Sequence, residues 1–210
     1  MEQNDSIKKL KTGTTTIGLV CSDGIILGAD SRATSDSFIA STEAVKIIRI
    51  NDGLGLTIAG GVGDNQYLGR LLKVHAELYK MNEGRDMTPT SAGSLLSMIQ
   101  TENRMYPYYA VNMLGGMNGN VPELYVFAPD GSMIKESKFY SVGSGSPMAF
   151  GYLEDAYKQG ISTQEGIKHV LKALKVAMKR DSASGDNLRI VTITKAGYKE
   201  YYGSEVEKLA

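Results

Sequence analysis

The residues best able to do chemistry stand at a junction near the N-terminus, Lys11-Thr12-Gly13-Thr14-Thr15-Thr16-Ile17-Gly18. A polar, charged leader there meets a threonine-led run. A threonine hydroxyl is a weak nucleophile at neutral pH. Cutting the Gly13–Thr14 bond would give Thr14 both a hydroxyl and a free α-amine. Such an amine titrates at about 7.7–8.0, so it can serve as general base for its own residue's hydroxyl. Asp30-Ser31-Arg32 and Lys46 follow. A charged Lys46 near the amine would favour the neutral, proton-accepting form. Asp30 is the candidate partner for a lysine buried in a strand.

The rest of the reactive inventory is thin. There is no G-x-S-x-G elbow. His75 falls on the apolar face of an expected helix and reads as a buried, hydrogen-bonded core residue, while His169 reads as exposed. Cys21 lies beside a hairpin turn and reads as structural. Gly60-Gly61-Val62-Gly63-Asp64 and Gly143-Ser144-Gly145-Ser146-Pro147 each follow a strand and open a helix. Such turns can aim backbone N–H groups at an anion, but no Lys-Ser or Lys-Thr follows to make a P-loop.

The elements that must position these groups begin with β-branched runs at 14–20 and 25–30, joined at Asp23-Gly24, a hairpin signal. A strict two-residue loop pairs Ile17 with Asp30 and puts Asp30 on the face opposite Thr14. A shift of one residue pairs Thr16 with Asp30 and restores the shared face. Strands are also expected at 45–50 and 54–59. Apolar residues then recur at three and four from Leu68 through Leu78 and Tyr79, giving a helix over 64–82 that Gly84 ends. Thr88-Pro89 opens a second helix to about Met105. Strands return at 109–114, 123–128 and 139–142. Ser146-Pro147 opens a third helix, and Ser162 with Glu165 caps a fourth through Met178. Strands at 188–194 and 198–202 close the chain.

Strands, two helices, strands, two helices, strands is not the β-α alternation of a parallel sheet. Two antiparallel sheets face to face, with a helix pair outside each, would bury every apolar face. The expected fold class is therefore α+β, a four-layer α/β/β/α sandwich in a single domain.

Composition narrows the function classes. The chain has 210 residues, with 23 basic and 23 acidic side chains, one cysteine and two histidines. Balanced charge argues against nucleic-acid or membrane-surface binding driven by bulk charge. One cysteine excludes an internal disulfide framework and fits a reducing compartment. Two histidines and one cysteine leave little for a zinc site, and no cofactor is implied. No apolar run approaches the roughly 20 residues of a membrane helix, and the N-terminus has no secretory core. The expected location is cytoplasmic.

At Gly13-Thr14-Thr15-Thr16, Asp30-Ser31-Arg32, Lys46, Thr57-Ile58-Ala59-Gly60, Gly143-Ser144-Gly145-Ser146-Pro147 and Arg180-Asp181-Ser182-Ala183-Ser184-Gly185, the chain resembles the proteasome β subunits. These are threonine proteases of the N-terminal-nucleophile hydrolase family, and the likeness spans nearly the whole chain. The family fold is the four-layer sandwich. The resemblance implies that residues 1–13 are a propeptide removed autocatalytically, leaving 14–210 as one catalytic domain with Thr14 as nucleophile. Asp30 and a charged Lys46 complete the catalytic group. Ser144, Asp181 and Ser184 support the Thr14 amine and a relay water, and the Gly60 N–H is the oxyanion donor. Thr34, Gly60 and Val62 pair through their backbones with an extended peptide. Ala33, Ala44, Ile48, Ile58 and Val62 form the first specificity pocket, with Lys46 at its base. An uncharged pocket implies a chymotrypsin-like preference for apolar side chains. Asp186 stands where many members have Gly or Asn. The short leader is more like that of archaeal β subunits than of bacterial ones.

The resemblance also implies partners: homo- or mixed heptameric β rings stacked as a pair, capped by rings of separate α subunits. An ATP-dependent unfoldase would feed unfolded protein substrates to the enclosed sites. Alternative readings are a non-catalytic or co-subunit-dependent β-ring subunit that keeps its propeptide, another self-cleaving hydrolase, and a small-molecule or phosphate-binding domain built on the two Gly-rich turns.

Overall fold

Two sets of β-branched, doubly apolar runs form two antiparallel sheets in the computed structural model, which describes residues 13–209. The elements in chain order are β1 (Thr15–Val20), β2 (Gly24–Asp30), β3 (Ala33–Ser35), β4 (Phe38–Ser41), β5 (Ile47–Asn51), β6 (Leu54–Gly60), α1 (Val62–Glu83), α2 (Pro89–Glu102), β7 (Ala110–Asn118), β8 (Val121–Phe127), β9 (Met133–Glu136), β10 (Phe139–Gly143), α3 (Ser146–Ala156), α4 (Thr163–Met178), β11 (Leu188–Thr194), β12 (Gly197–Tyr202) and α5 (Ser204–Glu207). One sheet runs β10-β1-β2-β11-β12 and the other β5-β6-β7-β8-β9, while β3 and β4 form a separate hairpin.

The period of two in each strand sorts side chains between two apolar layers. Ile17, Leu19, Ile26 and Ile190 face Val170, Leu171 and Leu174 of α4. Ile25, Leu27, Val191 and Ile193 face Met113, Leu124 and Val126 of the opposite sheet. On the far side, Leu56, Leu114 and Phe127 pack on Leu68, Leu72 and Leu96 of α1 and α2. These three contact layers make the α/β/β/α sandwich expected from the order of elements. The caps are also as read: Thr88 accepts the Ser91 N–H, and Ser162 accepts the Glu165 N–H.

Several local expectations are corrected. The β1–β2 ladder sets Thr16 opposite Ala29 and Val20 opposite Ile25. Its continuation places Asp30 against Thr15, so neither register drawn from Asp23-Gly24 holds. The turn itself is Ser22-Asp23, closed by the Cys21 N–H on the Gly24 carbonyl at 2.9 Å. It is fixed from outside: the Ser22 N–H donates to Ile161 O, and Asp23 accepts the Thr163 N–H at 2.8 Å and its hydroxyl at 2.9 Å. The start of α4 thus selects the hairpin register. The β3–β4 hairpin was not foreseen, because Ala33–Ser41 is small and polar without alternation. His75 is half-buried rather than core, Leu78 is exposed, and His169 is half-buried with its Nδ1 at 3.0 Å from Tyr152 Oη.

Leu174 is fully buried where α4 crosses β2. Leu174→Ala should cost about 2–5 kcal/mol, measured as a lowered urea midpoint with an unchanged slope. A loss under about 0.5 kcal/mol would contradict this packing.

Candidate active site

The site assembles where the ends of strands from both sheets meet. Thr14 precedes β1 and is nearly buried. Its hydroxyl donates to the carbonyl of Gly13 at 2.6 Å. Its backbone N–H donates to Ser144 Oγ at 3.2 Å. Gly143, directly before Ser144, has φ 104, and a Cβ there would overlap the Thr14 carbonyl. Only glycine lets β10 bring Ser144 so close.

Behind Thr14 lies a polar chain. Ser144 Oγ and Ser184 Oγ each donate to Asp181 Oδ2 at 2.6 Å. Ser184 Oγ also shares a 2.6 Å hydrogen bond with Thr15 Oγ1. The expected support group of Ser144, Asp181 and Ser184 is therefore brought together, at the amide that would become the α-amine. Thr15 is a member that sequence reasoning passed over as mere β propensity.

Asp30 is the buried hub. Its side chain is 0% exposed and that of Lys46 is 4% exposed. Lys46 Nζ donates to Asp30 Oδ1 at 2.7 Å, and the Thr15 N–H donates to the same oxygen at 2.9 Å. Oδ2 accepts the N–H of Gly185 at 2.9 Å and of Arg32 at 3.2 Å. Asp30 thus holds β1 through the backbone of Thr15, not by sharing a face with Thr14. Burial pushes the Lys46 ammonium below the ordinary lysine range, and the adjacent Asp30 carboxylate opposes that shift without cancelling it.

A cleft of about 530 Å³ opens in front of Thr14, within the range of small-ligand and peptide subsites. Gly13, Thr14, Ala33, Thr34, Ala44, Lys46, Ile58, Gly60 and Val62 line it. Gly13 occupies it as the chain's own peptide, its N–H donating to Thr34 Oγ1 at 2.9 Å. Ile48 is not part of the lining. Its side chain turns the other way, into the space left by Gly69 of α1, and packs with the outer core. Residues not foreseen complete the cleft: Ser35, Ala40 and Ser41 from the β3–β4 hairpin, with Val45, Asn65 and Gln66. Asn65 is buried and ties down the turn carrying Gly60, its Nδ2 donating to Ala59 O at 3.1 Å and Gly61 O at 2.8 Å. Asn112 Nδ2 donates in turn to Asn65 Oδ1 at 2.7 Å. A buried Asn four residues into a Gly-rich strand-to-helix turn was the available signal.

Residues 1–12 of the expected propeptide lie outside the described residues. Among the described residues no group of histidine, cysteine and acidic side chains is arranged to hold a metal. No helix there is long and apolar enough to cross a membrane.

A four-layer sandwich of this order is the fold of the N-terminal-nucleophile hydrolases. Within that class the chain belongs to the proteasome subunit family, whose description "Proteasome subunit" matches residues 10–193. It is 45% identical over 203 residues to the proteasome subunit beta of Methanosarcina mazei, covering 97% of this chain and 96% of that protein. It is 44% identical over 196 residues to that of Methanosphaerula palustris, covering 93% of each. Against that of Methanohalophilus mahii the identity is 45% over 205 residues, covering 98% of this chain and 97% of the other.

The Asp30–Lys46 pair gives an asymmetric stability prediction. Asp30→Ala strands a buried ammonium and should cost about 3–5 kcal/mol. Lys46→Met should cost clearly less, since Asp30 keeps three backbone donors. Denaturant titration of both variants checks it; equal losses would contradict the hub role of Asp30.

Proposed function

We propose that this chain is a catalytic β subunit of a proteasome core particle, an N-terminal threonine endopeptidase that frees Thr14 by cutting its own Gly13–Thr14 bond. The observation that carries this reading is the Thr14 hydroxyl set against the Gly13 carbonyl, 2.6 Å away, in the cleft that also holds Lys46. In the first reaction Thr14 Oγ1 adds to the Gly13 carbonyl carbon. The C–N bond breaks, the nitrogen takes a proton, and Gly13 is left as an ester on Thr14. Water hydrolyses that ester and releases residues 1–13 as the propeptide.

The freed amine then accepts the proton of its own hydroxyl, and Thr14 Oγ1 attacks a substrate peptide carbonyl. The Gly60 N–H meets the oxyanion. The leaving amine takes the proton, and water releases the acyl group. Lys46 acts as an ammonium that stabilises charge developing on Thr14 Oγ1. Asp30 keeps it charged, and Ser144, Asp181 and Ser184 hold the amine and a relay water. Thr34, Gly60 and Val62 pair with the substrate backbone. Ala33, Ala44, Ile58 and Val62 present an apolar wall that favours apolar side chains at the cleaved residue, a chymotrypsin-like preference; Ile48 has no part in it. The name proteasome subunit beta carried by the relatives supports a place in a proteasome core; we infer paired heptameric β rings, of one or two β types, capped by α-subunit rings. An ATP-dependent unfoldase would deliver unfolded proteins to this cytoplasmic chamber.

Thr14→Ala should block both events. Intact mass, read on the chain alone and mixed with an α subunit, should show loss of residues 1–13 in the wild type and the full length in the variant. Fluorogenic peptides should be cut faster after Leu or Tyr than after Arg or Glu. A wild type that stays full-length in both samples would instead indicate a ring subunit that keeps its propeptide.

Activity needs a neutral amine, so it rises with pH through an amine value at or below about 7.7–8.0. It also needs Lys46 charged, so it falls as pH rises through the lowered Lys46 value. The expected kcat/KM profile is a bell whose alkaline limb lies below the ordinary lysine range. A rate that stays flat up to that range would contradict the role of Lys46.

A further inference from the structure

The turn at 181–187 carries Asp181 and Ser184 and lays the Gly185 N–H on Asp30. One guanidinium grips this turn at two places. Arg32 Nε donates to Asp186 Oδ2 at 2.9 Å and Nη2 donates to Asp186 Oδ1 at 3.2 Å. Arg32 Nη1 donates to the Ser182 carbonyl at 2.9 Å. The grips fall on either side of Ser184. The Arg32 backbone N–H meanwhile donates to Asp30 Oδ2. Arg32 therefore joins the buried hub, through its main chain, to the turn, through its side chain.

Two features show that the turn is shaped for this grip. The guanidinium lies against Gly185, where a Cβ would overlap Arg32 Nε, Cζ and Nη2. Asp186 sits at φ 67, a left-handed conformation that Asp and Asn tolerate better than most residues. The fork–carboxylate geometry fixes direction as well as distance. The two side chains are 22% and 21% exposed, and the pair lies at the protein surface.

We propose that Asp186 is a positioning residue for the chemistry at Thr14. By holding Arg32 across Gly185, it keeps the Asp181–Gly185 turn in register with Asp30, and so keeps Asp181 on Ser144, which meets the Thr14 nitrogen, and Ser184 on Thr15. This rests on the threonine-nucleophile reading above. Asp186 never touches substrate. Its carboxylate also adds negative charge near the hub, which favours the charged form of Lys46.

Asp186→Asn and Asp186→Gly both suit a positive φ, so neither imposes backbone strain; Asn removes the charge and one of the two acceptors, Gly removes both, and each leaves only the Ser182 carbonyl fully engaged with Arg32. Each is compared with the wild type as the full chain assembled with an α subunit. Both variants should assemble and melt close to the wild type. Propeptide loss should slow, and kcat should fall roughly tenfold, as small misplacements do, with KM within about twofold. The alkaline limb of the rate profile should move to lower pH. Wild-type kcat and an unmoved limb in both variants would overturn the proposal. So would a kcat loss that only tracks failed assembly, with the limb in place. A wild type that neither cuts itself nor hydrolyses peptides would fail the nucleophile reading, and the positioning role with it.

Discussion

One carboxylate holds the site together. Asp30 takes four donors, from β1, from the segment before β5, from its own strand's exit and from the turn after α4. Each comes from a different part of the chain, so four segments meet at one buried charge. A charge so deeply buried is tolerated only when fully paired, and the pairing here is complete only if both sheets are in place. Lys46 arrives from the segment that leads into the second sheet and Thr15 from the first. The ion pair therefore reports correct stacking of the two layers, and Thr14 is positioned by the same event. Its burial also makes the ammonium easier to deprotonate, so the price of the junction is a lysine tuned away from its ordinary range.

Much of this was legible from residue types. The changes of period, from two to between three and four and back, made twice along the chain, gave the layers. The N-caps at Thr88 and Ser162 stand where their residue types put them. Thr14, Asp30, Lys46, Ser144, Asp181 and Ser184 share one hydrogen-bonded neighbourhood or line one cleft. What the residues could not reveal were distances set by tertiary partners. The β1–β2 register depends on Asp23 holding the start of α4, a contact 140 residues apart in sequence. Ile48 turns away from the cleft because Gly69 leaves room beneath it, a vacancy no local pattern announces.

The β3–β4 hairpin is the other gap. Its residues are small, its outer end is exposed, and Phe38 is 71% exposed. Nothing in its sequence buries enough apolar area to define a strand pair alone. It exists where it does because Ser31 anchors its base: the Ser31 hydroxyl donates to Thr42 O at 2.6 Å, and the Ser31 carbonyl accepts the Ala44 N–H at 2.8 Å. The wall of the cleft thus hangs from the residue next to the buried hub. Site and cleft share a foundation, although they come from opposite ends of a polarity scale.

The three consecutive threonines look interchangeable on paper and are not. Alternation sends Thr15 toward the helix layer, where its hydroxyl is engaged by Ser184, and Thr16 inward between the sheets, fully covered. Thr14 alone opens on the cleft. Under the proposed self-cleavage, an amine freed at Thr15 would sit beside a hydroxyl on the helix side of the sheet, and one freed at Thr16 would be sealed in the interior. The pleat turns Thr15 away and burial seals Thr16, so under that proposal two further threonines in the run would add no redundancy.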